Sequence, residues 1–331
     1  MKTMVLAIGG NALIRPGEKG TFGEQIVNAR RVAAQVVNLI RQDYRIILTH
    51  GNGPQVGAEL LLSERAVGSV PRHPLDVCDA STQGEMGYLL QLALQSELKR
   101  ARLHLPVVTI VTQCLVSLND PAMKNPSKPV GKFYSHEEAQ ERRRQNGWTM
   151  VMDAERGYRR VVPSPHPLEI IELEAIQHLM NFGALVIACG GGGIPVAWSN
   201  SELIGVEAVI DKDLASSLLA SKLGVETLVI GTDTDFVYLD YKKPSQQPLR
   251  QIGPDQLETY ARTGQFPPGS MGPKVESVLQ FLRSGGKEAI IASVDDLFAA
   301  VAGFTGTHVL PTSESVSRKF TGEFEITARR Q

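Results

Sequence analysis

The stretch Gly205-Val-Glu-Ala-Val-Ile-Asp-Lys-Asp-Leu-Ala-Ser216 places a lysine between two aspartates where an apolar, strand-like run turns into a helix. Free backbone N–H groups at a helix start favour an anion, and Lys212 adds a cation at the same point. The motif therefore predicts a phosphate-binding position and makes phosphoryl transfer a candidate reaction. Ordinary helix capping by aspartate beside a solvated lysine is the structural alternative. The partners of this motif elsewhere in the chain decide between the two readings.

The surrounding sequence alternates short apolar runs with longer amphipathic ones, which is typical of a parallel sheet covered by helices on both faces. The pattern predicts strands at residues 4–8, 45–49, 106–111, 184–188, 227–230, 236–239 and 289–292. It predicts helices at residues 23–41, 55–66, 79–102, 168–182, 214–223 and 271–283. The fold class indicated by this rhythm is α/β.

Two regions interrupt the α/β rhythm. Between residues 119 and 167, prolines, charges and aromatic residues become frequent and the periodicity fades, which predicts a small protruding lobe inserted in the first half of the chain. Residues 311–331 are polar and lack a periodic pattern, so we expect a poorly ordered tail there. Residues 1–310 are then expected to contain the folded part, and this length suits two domains or one large α/β domain.

Composition narrows the classes of partner. The net charge of −1 and a pI near 6.7 give no overall electrostatic reason to expect nucleic acid or an anionic membrane. The arginine cluster at residues 141–160 is interleaved with glutamates, which favours a solvated surface over a nucleic-acid site. No run of about 18 apolar residues predicts a membrane span. Cys78, Cys114 and Cys189 are widely spaced and odd in number, which indicates buried free thiols in a reducing cytoplasm.

Three glycine clusters follow predicted strands of the sheet. They are Gly9-Gly-Asn-Ala12, His50-Gly-Asn-Gly-Pro-Gln-Val-Gly57 and Gly190-Gly-Gly-Gly-Ile-Pro195. None has the spacing of a dinucleotide fingerprint or a Walker loop. Because open α/β sheets bind ligands at the carboxyl ends of their strands, three such clusters together predict one ligand edge. At His50, beside the second cluster, a structural hydrogen bond is the expected role, with a catalytic base as the alternative.

Further charged residues can serve the same chemistry. Lys274, in Gly269-Ser-Met-Gly-Pro-Lys274, lies just inside a predicted helix that Pro273 can begin. Lys128 stands between two prolines in the lobe, on what the sequence suggests is an exposed loop. Asp233 and Asp235 end a predicted strand, where they suit either Mg²⁺ and a nucleotide or an ordinary aspartate turn.

Taken in order, these motifs closely resemble those of the carbamate kinases of the amino-acid-kinase family. The motifs are Gly9-Gly-Asn11, His50-Gly-Asn-Gly-Pro-Gln55, the Lys128 segment, Gly190–Pro195, residues 206–220, residues 232–238 and Gly269–Lys274, and the resemblance extends over about residues 4–310. It implies a three-layer αβα sandwich with a mainly parallel central sheet, and a homodimer. It also implies an amino-terminal half that binds carbamate or carbamoyl phosphate, a lobe that folds over this site, and a carboxy-terminal half from about residue 183 that binds ATP or ADP.

The same resemblance assigns roles to individual residues. The implied catalytic residues are Lys128, Lys212, Asp213 and Lys274, and the implied phosphate-binding residues are Gly9, Gly10, Asn11, Gly51, Asn52 and Gly53. The implied nucleotide-binding residues are Asp211, Asp233, Asp235, Met271 and Gly272. Mg²⁺ is expected to accompany the nucleotide, with no metal site made by the protein alone. The resemblance further implies a cytoplasmic enzyme of arginine metabolism that forms ATP from carbamoyl phosphate and ADP.

Three departures from the family pattern qualify this reading. Ala7 replaces the first-strand lysine of many relatives in the wider family, as in carbamate kinases, where Lys212 takes over its role. Lys132 stands where the family often has proline, and Ala80-Ser-Thr-Gln-Gly84 differs from the expected Met-Ser-Gln-Gly-like run. The last two bear on substrate choice or on dimer contacts.

Two alternative functions remain open from the sequence. One is a kinase of the same fold that acts on another carboxylate, such as glutamate or an N-acylated glutamate. The lobe that carries Lys128 argues against it, because that insertion resembles carbamate kinases alone. The other is a non-catalytic ligand-sensing or assembly protein, against which the presence of all three lysines argues.

Overall fold

The computed structural model describes residues 2–153 and 157–311, which form the following strands and α-helices. The strands are β1 Lys2–Ile8, β2 Tyr44–His50, β3 Val107–Thr109, β4 Gln113–Leu115, β5 Lys128–Tyr134, β6 Thr149–Met152, β7 Tyr158–Val162, β8 Glu169–Ile170, β9 Leu185–Ile187, β10 Ile194–Ser199, β11 Glu202–Gly205, β12 Thr227–Thr232, β13 Val237–Leu239, β14 Gln247–Leu249, β15 Gln251–Ile252, β16 Glu288–Ser293 and β17 Thr307–Val309. The helices are α1 Phe22–Arg41, α2 Gly53–Arg65, α3 Leu75–Arg100, α4 Pro121–Lys124, α5 His136–Asn146, α6 Leu173–Phe182, α7 Lys212–Lys222, α8 Pro254–Arg262, α9 Met271–Arg283 and α10 Leu297–Val301.

The central sheet has the strand order β15-β17-β16-β12-β1-β2-β9-β3. From β16 to β3 all neighbouring strands are parallel, and β17 runs antiparallel to β16. The middle strand β1 is fully buried from Met4 to Ile8, as expected where helices cover both faces of a parallel sheet.

Alternate side chains of β1 enter two different cores. Met4, Leu6 and Ile8 pack in a cluster with residues of α1, α3 and α10, whereas Val5 and Ala7 pack in a second cluster with residues of α6, α7 and α9. This follows from the two-residue period of a strand. Each large side chain buried in this way contributes about 1.5–3 kcal/mol. The two cores give three layers and confirm the predicted αβα sandwich.

A small antiparallel sheet, β5-β7-β6, forms the predicted lobe together with α5. Helix α5 begins with a capping box between Ser135 and Glu138, and its side of the lobe has a core of Tyr134, Ala139, Trp148 and Met150. Val130 and Val162 of the lobe pack instead against residues of α2 and α3. This second contact fixes β5, and therefore Lys128 at its start, relative to the central sheet.

Several elements differ from the sequence-based expectation. Lys128 begins a paired strand and does not lie on a loop. Helix α6 begins at Leu173 because residues 169–170 pair with β4 in a second sheet, β11-β10-β4-β8, that the sequence pattern did not predict. The strand expected at 236–239 pairs with β14 and lies outside the central sheet. Strands of two to four residues carry too little periodicity for prediction, which accounts for β4, β8 and β11 but not for the six-residue β10.

The predicted tail lies almost wholly outside the described residues, and the predicted domain boundaries stay predictions. Of the helices in the described part of the chain, none combines the length and the apolar character needed to cross a membrane.

Candidate active site

The predicted glycine loops meet at one edge of the central sheet. Strands β12, β1, β2 and β9 are consecutive neighbours and parallel, so their carboxyl ends share that edge. A Cβ added to Gly51 would lie 3.0 Å from the backbone nitrogen of Gly10, and one added to Gly10 would lie 3.2 Å from the nitrogen of Gly53. Contacts this short leave almost no room for a side chain, so the close approach of the two loops favours glycine at both positions.

Helix α7 points its amino terminus at this edge. Asp211 is its N-cap and accepts a hydrogen bond from the backbone nitrogen of Asp213 at 2.9 Å. The first helical residue, Lys212, lies against the Gly51 loop, since a Cβ on Gly51 would be 3.0 Å from Lys212 Cδ. The helix therefore begins two residues earlier than the sequence pattern predicted, and it carries its lysine directly onto the glycine loops.

The three predicted lysines converge on the two aspartates of this turn. Asp213 forms ion pairs through both oxygens, with Lys212 Nζ at Oδ1 and with Lys274 Nζ at Oδ2, 3.0 Å away. Lys128 Nζ, which comes from the lobe, lies 2.6 Å from Asp211 Oδ2. Three ammonium groups thus surround two carboxylates, and the cluster has an excess of positive charge available to an anion.

Burial and charge set the ionisation of this cluster. Burial alone would raise the pKa of Asp213, but the neighbouring charges of Lys212 and Lys274 outweigh it and hold that pKa at about 2. Burial lowers the pKa of Lys212 from its ordinary value. Burial also acts to lower the pKa of Lys274, but Asp213 overcomes this effect and raises it. Asp213 is therefore ionised at neutral pH and can orient both lysines.

The predicted nucleotide residues lie in two places. Asp233 follows β12 and is near enough to raise the pKa of Lys274, while Thr232 Oγ1 donates to its Oδ1 at 3.1 Å. Asp235 instead accepts from Tyr238 Oη at 2.6 Å on an exposed turn. Met271 begins α9 and packs partly against the core, and the Gly272 nitrogen donates to Pro267 O at 2.9 Å. The side chain of Asn11 is exposed at the first glycine loop.

Over residues 2–153 and 157–311, no group of three or more His, Cys, Asp or Glu side chains is placed to hold a metal ion. Mg²⁺ commonly binds through one or two carboxylates together with the phosphates of a nucleotide. Asp233, beside Lys274 at the ligand edge, supplies one such carboxylate. The donor set therefore fits an ion that arrives with its nucleotide.

A buried polar cluster that the sequence reading missed lies behind the second glycine loop. Asn52 and Asp79 are each 3% exposed, and Asn52 Nδ2 donates to Asp79 Oδ1 and, at 2.8 Å, to Thr82 Oγ1. Gly191 has φ of +69°, and a Cβ there would overlap both Asn52 and Asp79. The only sequence signal was an aspartate on the buried face of α3, one turn before Thr82.

Burial raises the pKa of Asp79 to about 7, the hydrogen bond from Asn52 opposes this, and the charge of Asp76 adds to it. The ordinary value is 3.8, so between about pH 4 and pH 7 the folded chain holds a proton that the unfolded chain has released.

We expect the contribution of Asp79 to the free energy of unfolding to fall as the pH rises through that window, and to stay constant above it. Asp79→Asn should remove this part of the pH dependence. Denaturant unfolding of both proteins at about pH 5 and about pH 8 measures it, and an identical pH dependence in the two would contradict it.

The remaining candidate nucleophiles and bases are buried. Burial lowers the pKa of His50 to about 4, so its imidazole is neutral at physiological pH, and Gly190 packs against its ring. All three cysteines are buried free thiols, as expected, and burial raises the pKa of Cys78 to about 11 and that of Cys114 to about 12. These groups have structural roles in packing and hydrogen bonding. The charged cluster at the start of α7 is therefore the candidate catalytic part of this edge.

Comparison with known proteins agrees with this geometry. Residues 2–293 match the amino acid kinase family. A carbamate kinase of Thermococcus kodakarensis is 48% identical over 313 residues, covering 94% of this chain and 99% of that protein. The Escherichia coli carbamate kinase-like protein YahI is 44% identical over 93% of this chain and 99% of its own length. The solved structure of a Giardia lamblia carbamate kinase bound to AMP-PNP is 41% identical, with a TM-score of 0.89 over 94% of this chain and 98% of that one.

The fold and the charged cluster define a kinase-type α/β protein that is suited to hold a phosphoryl group. The chain belongs to the amino acid kinase family and, within it, to the group of the carbamate kinases.

Proposed function

We propose that this protein is a carbamate kinase, which transfers a phosphoryl group reversibly between ATP and carbamate. The observation that carries the proposal is the convergence of Lys128, Lys212 and Lys274, from three separate elements, on the first turn of α7 beside two glycine loops. The carbamate kinase names of relatives that match nearly the whole chain support it.

The chemistry suits these residues. A carbamate is already anionic near neutral pH, so its attack on a γ-phosphoryl group needs no general base. The reaction requires positioning and compensation of the charge that spreads over the equatorial oxygens during in-line transfer. Lys212 and Lys274 can supply that compensation, and Lys128 can approach from the lobe. Backbone N–H groups of Gly9, Gly10, Asn52 and Gly53 are further candidate donors, whereas the Gly51 nitrogen already donates to Ile8 O at 2.9 Å. Asp213 keeps both of its lysines in place.

Bound Mg²⁺ would neutralise charge on the nucleotide phosphates, with Asp233 as the nearest candidate carboxylate. The role of Asp235, Met271 and Gly272 in binding the adenine nucleotide is part of the same proposal. The AMP-PNP in the Giardia lamblia relative supports a nucleotide as co-substrate. In the cell we expect a cytoplasmic enzyme of arginine catabolism that forms ATP from carbamoyl phosphate and ADP.

The deciding experiment is the initial rate of ATP formation by the purified protein from carbamoyl phosphate and Mg·ADP, with the reverse reaction measured alongside. Rapid formation of ATP is expected. Turnover of glutamyl or N-acylglutamyl phosphate in preference to carbamoyl phosphate would favour the same-fold alternative. Binding of ATP without turnover of any acyl phosphate would favour a non-catalytic role.

We also propose that the protein is a homodimer, with the outer face of α3 and the β10–β11 hairpin as its interface. Tyr88 and Trp198 are each 58% exposed on this surface, and Val77 and Ile204 are partly exposed there. The hairpin and α3 are in contact, because Gly205 at the end of β11 packs against the side chain of Asp76 in α3. A contiguous patch of exposed apolar side chains indicates a protein interface, whereas single exposed apolar residues do not.

Replacing Tyr88 and Trp198 together by lysine should convert the dimer to a monomer, because each subunit would bury two unpaired charges in the interface. Light scattering coupled to size-exclusion chromatography measures the change in mass. Tyr241→Lys, on an exposed turn of the other half, is the matched control and should leave the mass unchanged. A monomeric wild type, or a double variant that stays dimeric, would contradict the proposal.

A further inference from the structure

The carboxamide of Asn52 has one fixed orientation. The hydroxyl of Thr82 donates to the backbone oxygen of Asp79 at 2.7 Å, so its hydrogen is committed and Oγ1 can only accept from Asn52. Above its pKa of about 7, the carboxylate of Asp79 is ionised and can likewise only accept. Both N–H groups of Asn52 Nδ2 are therefore used, and the amide cannot flip without losing two buried hydrogen bonds.

The oxygen of this carboxamide is unpaired within the described residues. Among residues 2–153 and 157–311, no group donates to Asn52 Oδ1, yet this oxygen is not one of the side-chain atoms that are both buried and unpartnered. It therefore keeps a small accessible area, although Asn52 as a whole is 3% exposed. The residues on either side of Asn52 lie in the active-site edge, since Gly51 contacts Lys212 and Gly53 contacts Gly10. An acceptor oxygen with no partner thus stands beside the proposed phosphoryl site.

We propose that Asp79 is a positioning residue that holds Asn52 so that its Oδ1 accepts a hydrogen bond from the amino group of the substrate. This inference rests on the proposed function and deepens it, because it assigns the choice between acyl phosphates to one oriented oxygen. Carbamoyl phosphate carries an NH₂ group where acetyl phosphate carries a methyl group. A hydrogen-bond acceptor at this point favours binding of carbamoyl phosphate, whose NH₂ group can donate to it. Acetyl phosphate would leave the acceptor unpaired.

The test compares Asp79→Asn with the wild type for two ligands. The measured quantities, both at about pH 8 where Asp79 is mostly ionised, are kcat/KM for carbamoyl phosphate with Mg·ADP and the inhibition constant of acetyl phosphate as a competitor. The asparagine at position 79 can either accept from Asn52 Nδ2 or donate to Asn52 Oδ1, so the carboxamide loses its single orientation. We expect kcat/KM for carbamoyl phosphate to fall about tenfold, with little change in the binding of acetyl phosphate.

Two further variants separate positioning from a general structural effect. Thr82→Val removes the other partner of Asn52 Nδ2 and should also lower kcat/KM for carbamoyl phosphate. This variant keeps the test decisive if Asp79→Asn does not fold. In an Asn52→Ala background, Asp79→Asn should cause no additional loss, because its effect passes through Asn52. Glu97→Gln removes a carboxylate near the far end of the same helix, where Glu97 pairs with Arg100, and should leave both ligands unaffected.

Equal loss for both ligands, or the full effect of Asp79→Asn in the Asn52→Ala background, would overturn the positioning role. So would an unchanged kcat/KM in both Asp79→Asn and Thr82→Val. A wild type that forms no ATP from carbamoyl phosphate would instead overturn the proposed function, and the inference with it. Thermal unfolding of each variant near neutral pH establishes that the compared proteins are folded.

Discussion

Lys212→Ala is expected to lower the turnover of carbamoyl phosphate by about 10²–10³-fold, the usual loss when one electrostatic donor to a transition state is removed. Lys212 lies between the Gly51 loop and Asp213, on the first turn of the helix that faces the loops. No other described cation occupies that position, because Lys274 and Lys128 approach Asp213 Oδ2 and Asp211 Oδ2 from other sides. Steady-state rates of ATP formation measure the loss.

Lys222→Ala is the matched control, because it removes an exposed lysine from the last turn of the same helix. Its turnover should equal that of the wild type. Lys274→Ala should resemble Lys212→Ala in the size of its effect, since both lysines share Asp213. Near-normal turnover in folded Lys212→Ala protein would remove Lys212 from the proposed catalytic group.

Asp213→Ala is expected to destabilise the fold by about 3–5 kcal/mol, because it removes the partner of two buried charges. The side chain of Asp213 is 4% exposed, and those of Lys212 and Lys274 are 11% and 16% exposed. Without the carboxylate, the two ammonium groups would face each other inside the protein, or would have to lose a proton. The free energy of unfolding, from urea titration near neutral pH, measures the change.

Asp255→Ala controls for the helix dipole, because Asp255 is the second residue of α8 just as Asp213 is the second residue of α7. Asp255 is exposed, so its loss should cost well below 1 kcal/mol. If the two substitutions destabilise the protein equally, the buried ion pairs are not what Asp213 contributes to stability. Asp213→Asn keeps the shape of the side chain and should fall between the two.

Strongly periodic segments were predictable from the sequence. Helix α9 occupies the predicted residues 271–283, and the predicted strand 4–8 lies inside β1. The glycine clusters were placed after strands correctly, because each follows a short apolar run whose length and flanking glycines favour a buried strand over a helix. In the second sheet, β4 and β8 have three and two residues, too few for a periodic pattern. The six-residue strand β10 was missed because its first two residues were assigned to the third glycine cluster.

The sequence by itself determined which chemical groups are present and which elements carry them, because strand and helix patterns depend on neighbours two to four residues apart. Only the tertiary structure decided their partners. Lys274 and Asp213 are separated by 61 residues, and Lys128 and Asp211 by 83. The order of strands in the sheet and the position of the lobe therefore determine which of these residues come into contact. The contact of Asn52 with Asp79 also depends on tertiary structure. It forms because the start of α2 and the first turns of α3 both pack beside the loop that contains Gly191.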